Sequence, residues 1–148
     1  ILKHLYKNRS FGYITVRVYL HLQQDIDDSI PNYLRNVNPL IDILTQATRI
    51  SELVGLQFPK NVPRYLDNLT SMGLIRVISD RHHISTEYDH LIEMYKGVIK
   101  SYELSPTTRK VEIKKGYFEI SEMGSMFGLA CNLSEITSDV ETYESAAN

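Results

Sequence analysis

"NVPRYLDNLTSMGLIRV", residues 61–77, reads as a helix, a glycine stop and a strand in immediate succession. Asn61 is suited to cap the free amides of a helix start, and Pro63 is tolerated only in a first turn, where its missing N–H is not needed. Val62, Tyr65, Leu66, Leu69 and Met72 recur at i, i+3, i+4, i+7 and i+10, which lays them along one stripe of a 3.6-residue spiral. Gly73 can take the left-handed conformation that ends helices, and Leu74–Ile78 is a β-branched run of strand length. Leu66 and Leu69 are therefore expected in the core.

Upstream, Asn38-Pro39 can open a helix, and Leu40, Ile43, Leu44, Ala47 and Val54 keep its period as far as Gly55. Leu56–Lys60 then reads as a turn, so residues 48–72 are expected to form a helix-turn-helix. Residues 22–37 are polar, with Asp25, Asp27 and Asp28, and read as a surface loop, since the EF-hand spacing, its Gly and its closing Glu are absent. "GYITVRVYL" alternates, with Ile14, Val16, Val18 and Leu20 on one side, the mark of a half-buried strand. "ILKHLYKN" resembles the last turns of a helix facing inward through Ile1, Leu2 and Leu5. Ile1 is not an initiator Met, so that helix is expected to begin upstream.

Downstream, Thr86 and Asp89 have capping-box spacing, and Tyr88, Leu91, Ile92, Tyr95, Val98, Ile99 and Tyr102 form a stripe down a helix over 86–103. Ser105-Pro106 ends it. "RKVEIKKGYFEIS" supplies return strands with Lys115-Gly116 as a tight turn, and Ser121 caps a last helix whose inner face is Met123, Met126, Phe127 and Ala130. Together these predict an α+β, winged-helix-like domain over residues 1–132, its first helix truncated, with a long helix inserted between the wing strands. Residues 133–148 are expected to be an acidic tail. Phe127 joins Leu66 and Leu69 among the residues expected to be buried, and the long helix is expected to pack along the domain or against a second copy.

A chain of 148 residues can bury roughly 70% of its unfolded surface, enough for a core without staples. Its net charge of −2 is uneven: residues 134–148 carry Glu135, Asp139, Glu141 and Glu144 and no Lys or Arg. Neither the whole chain nor the rest of it has the basic excess of a nucleic-acid binder. Cys131 is the single cysteine and cannot form an internal disulfide, so a reducing cytoplasm is expected. No apolar run nears the roughly 20 residues of a membrane span, and no signal-peptide pattern opens the chain.

Chemistry-bearing residues are sparse. His82, His83 and His90 have no nearby Cys, and the acids beside them, Glu87, Asp89 and Glu93, are ordinary for a helix surface, so no metal site is expected. No Ser stands in a nucleophile-elbow pattern, and no phosphate loop or dinucleotide fingerprint occurs, so neither catalytic residues nor a cofactor are expected. The solvent face of the helix after Asn61 carries Arg64, Asp67, Asn68 and Ser71, whose charges cancel, whereas a helix entering a major groove normally brings Arg or Lys. The best basic cluster is Arg109, Lys110, Lys114 and Lys115, which with Glu112 gives +3 along the expected hairpin.

"ISELVGLQFPKNVPRYLDNLTSMGLIRV", followed by "KKGYFEISEMGSMFGLAC", resembles the C-terminal part of the Abi-alpha (abortive infection alpha) family, a bacterial group of unknown molecular function. Phe58-Pro59, Tyr65, Asn68-Leu69 and Gly73-Leu74-Ile75 match its first motif set. Lys115-Gly116, Gly124 and Phe127 match the second. Ile120-Ser121 replaces the family's Leu-Thr, and Met72 its Leu. The motifs cover most of residues 48–131. The resemblance implies a link with phage defence and supplies no catalytic residues. The expected role is a non-catalytic interaction or regulatory module with a protein partner or self-association. The alternative is a nucleic-acid-binding winged helix using the basic hairpin 109–115, with Lys60, Arg64 and Asn68 as further contacts. A third alternative is a toxin with undetected enzymatic activity.

Overall fold

A computed structural model describes residues 1–21, 39–79, 81–83 and 85–133. The loop expected at 22–37 and the acidic tail beyond Leu133 lie outside the described residues. In chain order the elements are α1 (Leu2–Asn8), β1 (Ser10–Leu20), β2 (Leu40–Ala47), α2 (Ile50–Leu53), a 3-10 turn at Pro59–Asn61, α3 (Val62–Ser71), β3 (Ile75–Ile78), α4 (Glu87–Glu103), β4 (Thr108–Ile120) and α5 (Glu122–Ala130). The fold is thus α+β, with one four-stranded antiparallel sheet in the order β2-β1-β4-β3. The chain gathers into two compact units, the first from Ile1–Phe11, Arg49–Ile78 and Tyr117 onward, the second from Gly12–Thr48 and Ser79–Gly116.

The first unit contains the stretch 61–77, and its helix, stop and strand are all present. Pro63 stands in the first turn of α3, Val62 and Leu66 are buried, and Gly73 takes φ +70° before β3. Asn61 makes no side-chain cap to the helix; its amide reaches Tyr65 Oη at 3.5 Å instead. The helix-turn-helix expected at 48–72 is α2, a single turn, followed by the 3-10 turn and α3. β3 pairs antiparallel with the end of β4, Ile75 opposite Ile120 and Ile78 opposite Tyr117, and α4 lies between these strands in sequence. Leu5, Phe11, Ile50, Leu66, Leu74, Ile75, Phe118 and Ile120 supply the buried apolar surface, with the rings of Phe11 and Phe118 5.2 Å apart.

Two expectations fail here. Leu69 is only half-buried, and Phe127 is exposed. Leu69 lines an open apolar depression with Ile1, Leu2, Leu56 and Tyr65, so the far side of the α3 stripe is not packed over.

The second unit packs α4 on the apolar face of β1, β2 and β4. Ile14, Val16, Tyr88, Leu91 and Ile99 form the buried cluster, with Ile43, Leu44, Ala47, Ile92, Tyr95, Val111 and Ile113 partly buried against it. Tyr88 is anchored at both ends, its ring in the core and its hydroxyl donating to the Gly116 carbonyl at 3.0 Å. Glu87 Oε2 accepts the Gly12 amide at 2.9 Å, and a Cβ on Gly12 would stand 3.0 Å from that oxygen and from the Tyr88 ring, a close approach of helix and strand. The outer end of the α4 stripe departs from expectation, since Val98 and Tyr102 are exposed. Thr86 makes no side-chain cap, and the Glu87 amide donates to Ser85 Oγ at 3.1 Å.

The helix expected over 38–55 is mostly strand. Leu40–Ala47 pairs with β1, with register shifts between Ile14 and Val16 and between Val16 and Arg17, and Gln46 takes φ +50°. In a regular strand Ile43 and Leu44 would point to opposite faces. An irregular register brings Ile43, Leu44 and Ala47 to the same core, and the resulting spacing of one and three imitates a helical stripe.

The tight turn expected at Lys115-Gly116 is also absent, because β4 runs unbroken from Thr108 to Ile120. His21 donates to the Thr107 carbonyl at 2.8 Å and Ile120 to the Arg9 carbonyl at 3.0 Å, so β4 is laid antiparallel along the whole of β1. With a partner strand of that length, a glycine next to lysine has no reason to turn.

Candidate functional site

The most unusual surface of the first unit is made by α5. Ser121 caps this helix as its sequence predicts, its Oγ accepting the Gly124 amide at 2.9 Å while donating to the Gly73 carbonyl at 2.5 Å. The helix then turns its glycines inward. A Cβ on Gly124 would collide with the Leu74 carbonyl oxygen and stand 2.9 Å from Ile120 Cγ1, and one on Gly128 would enter the ring of Tyr6. Close backbone approach is what glycine permits and no other residue does. Ser121, Gly124, Ser125 and Gly128 fall at i, i+3, i+4 and i+7, so the small residues form the buried stripe.

The large residues are consequently left outside. Met123 is 59% exposed, Met126 67%, Phe127 47% and Leu129 67%. Met123, Met126, Phe127 and Ala130, the four expected to face the core, line a shallow depression of about 570 Å³ edged by Glu122. Their helical period was legible, but a second stripe of small residues on the opposite face was in the sequence too, and it decides which side is packed. Met72 is also exposed, and the residue after it, Gly73, lies next to Met123, whose sulfur stands 3.7 Å from the position of a Cβ on Gly73. Methionine is unbranched and polarisable, which suits it to surfaces that must fit a partner.

The basic residues are divided between the two units. Lys60, in the 3-10 turn, and Arg64 and Asn68, on α3, are exposed on the first unit. Arg109, Lys110, Lys114 and Lys115 stand on β4 in the second, and alternation along a strand divides them. Lys110 and Lys114 share the face of Glu112, while Arg109 and Lys115 share the parity of the core residues Val111 and Ile113, and the Lys115 ammonium lies 5.4 Å from the centre of the Tyr88 ring.

On the polar face the cations are answered by acids. Arg17 binds Asp42 through two hydrogen bonds of 2.7 and 3.1 Å, Tyr19 donates to Glu112 at 2.9 Å, and Lys110 is 3.8 Å from Glu112. The Arg17 hydrogen bond holds the Asp42 carboxyl below its ordinary range, and the Tyr19 hydroxyl does the same for Glu112. Bonding to the Glu112 carboxylate in turn raises the Tyr19 phenol. Three cations against two acids make this a nearly balanced mosaic rather than the concentrated positive charge expected of a hairpin.

Among the described residues no three His, Cys, Asp or Glu side chains are grouped so as to hold a metal ion. His82 instead packs edge-on to the Tyr88 ring at 5.9 Å. No helix among them is long and apolar enough to cross a membrane. The profile of the family described as Abortive infection alpha matches residues 1–131. The chain belongs to this family. Membership of the abortive infection alpha family thus takes in the residues before Thr48, where the quoted motifs began. A solved structure, of the uncharacterized protein from the hydrocarbon-degrading marine bacterium Alcanivorax borkumensis SK2, is similar over 88% of this chain and 81% of that one, with 17% identity and a TM-score of 0.44. No curated protein matches the chain.

Proposed function

We propose that this chain is a non-catalytic interaction and regulatory module of a bacterial phage-defence protein, working in the cytoplasm through a protein contact made by α5. The observation that carries the reading is the inversion of that helix: its glycines are buried and its methionines and phenylalanine are exposed. Burying a large apolar side chain is worth about 1.5–3 kcal/mol, so a helix that leaves several of them in water is shaped by something other than its own stability. The family name supports the setting, abortive infection. The order α1, α2, α3, β3 and the end of β4, with α4 inserted before the last strand, supports a winged-helix-like plan for the first unit. The division of the four β4 cations over two faces, with Asp42 and Glu112 among them, argues against the nucleic-acid alternative.

The test is phage plating on cells carrying the full-length gene. Wild type should lower plating efficiency by tenfold or more, and Met126→Asp should remove the protection at unchanged protein level and unchanged circular dichroism. Full protection by a folded Met126→Asp protein overturns the reading.

A further inference from the structure

We infer that the occupant of the α5 face is the same face of a second copy of this chain, packed antiparallel about a two-fold axis between Met126 and Phe127. The inference rests on the interaction reading above and names its partner. Met123, Met126, Phe127 and Ala130 recur at i, i+3, i+4 and i+7, the spacing of a helix–helix seam. A two-fold axis between residues 126 and 127 sets Met123 opposite Ala130 and Met126 opposite Phe127. Each large methionine at one end then meets the smallest residue at the other, and the seam is complementary to itself, as a two-fold interface must be.

Charge selects the direction. Glu122 is the single charged residue of α5 and borders the depression. Parallel pairing would set two Glu122 carboxylates side by side, whereas antiparallel pairing moves them to opposite ends of a helix about 13 Å long, beyond a Debye length of about 8–10 Å. Area sets the strength. Side chains offering about 150–200 Å² each when free, half to two-thirds exposed, leave on the order of 400 Å² per copy. Two such patches bury about 800 Å² in all, below the roughly 1,200–2,000 Å² of stable specific interfaces, so the dimer is weak and forms reversibly with concentration.

Sedimentation equilibrium of the full chain tests this. The apparent mass should rise from one copy towards two with increasing concentration. Met126→Asp and Phe127→Ser should each raise the dissociation constant tenfold or more while circular dichroism is unchanged. Leu104→Ser, at a residue 74% exposed on the second unit, should not alter it. Geometry is read by cysteine pairing in a Cys131→Ser background: a mixture of Met123→Cys and Ala130→Cys chains should form the mixed disulfide, and Met123→Cys alone should not cross-link. A chain that stays monomeric into the high micromolar range, or a Met123→Cys protein that cross-links to itself, overturns the inference. Loss of phage protection by Met126→Asp in a monomeric chain would sink the dimer and leave the interaction reading standing. Retained protection by a Met126→Asp chain that no longer dimerises would do the reverse.

Discussion

Two helices of this protein, α4 and α5, are held in opposite ways. In the second unit α4 is held by its large side chains: Tyr88, Leu91 and Ile99 are buried and Gly97 faces open space. In the first unit α5 is held by its smallest residues, with Gly124 and Gly128 against Leu74 and Tyr6 and its methionines outside. Both are amphipathic in sequence. The difference teaches that an apolar stripe marks the buried side of a helix only when the opposite side cannot come closer. Where glycines and serines line that opposite side, backbone contact replaces side-chain contact and the apolar stripe is released for other use.

The contrast can be broken by substitution, starting where the effect is largest. Leu91→Ala removes a fully buried side chain from α4 and should cost about 2–5 kcal/mol in denaturant unfolding. Gly124→Ala should come next, at about 3 kcal/mol, because the added methyl meets the Leu74 backbone rather than a movable side-chain end. Gly97→Ala, also within a helix, should act with the opposite sign, since nothing lies within 4 Å of the new Cβ: a gain of about 0.5–1 kcal/mol is expected. Equal responses of Gly97 and Gly124 would show that α5 is not held by its glycine face.

Smaller still, Met126→Ser should move stability by no more than about 0.5 kcal/mol in either direction, as expected for an exposed residue. The smallest effect belongs to the charged mosaic. The folded-state pKa values of Asp42 and Glu112 are depressed, so their contribution is present above the unfolded carboxylate values and is lost as pH falls through the folded ones. Asp42→Asn should therefore melt slightly lower than wild type at neutral pH, by about 2 °C or less, and the gap should close in acid below about pH 4. A gap that widened in acid would mean that Asp42 is not held by Arg17.

Much of this was legible because local signals agreed with the tertiary arrangement. Pro63 and Gly73 bracket α3, the alternation of Ile14, Val16 and Val18 marks β1, and the Tyr88, Leu91 and Ile99 period marks α4. The misreadings share one cause: a periodicity reports which residues are together and not what geometry brings them there. Bulged pairing in β2 gave Ile43, Leu44 and Ala47 a helical spacing, and Lys115-Gly116 reads as a turn only when the length of its partner strand is unknown. On α5, two periodic stripes competed, and hydrophobicity favoured the wrong one. The basic residues were found by number and lost by parity, since neighbours along a strand point apart.

The pairing of β1 with β4 has a consequence for how the protein is born. His21 finds its carbonyl partner only at Thr107, and Arg9 its amide partner only at Ile120. At about 5–20 residues per second a ribosome needs on the order of ten seconds to deliver the second strand after the first. Throughout that interval Ile14, Val16 and Val18, all fully buried in the finished protein, have no β4 to rest against and present an apolar strand to the cell. Neither unit is a continuous stretch of chain, so no early portion can complete a core and shelter them. Such high-contact-order pairing folds slowly, and the nascent chain is predicted to lean on chaperones until β4, which ends at Ile120, has emerged.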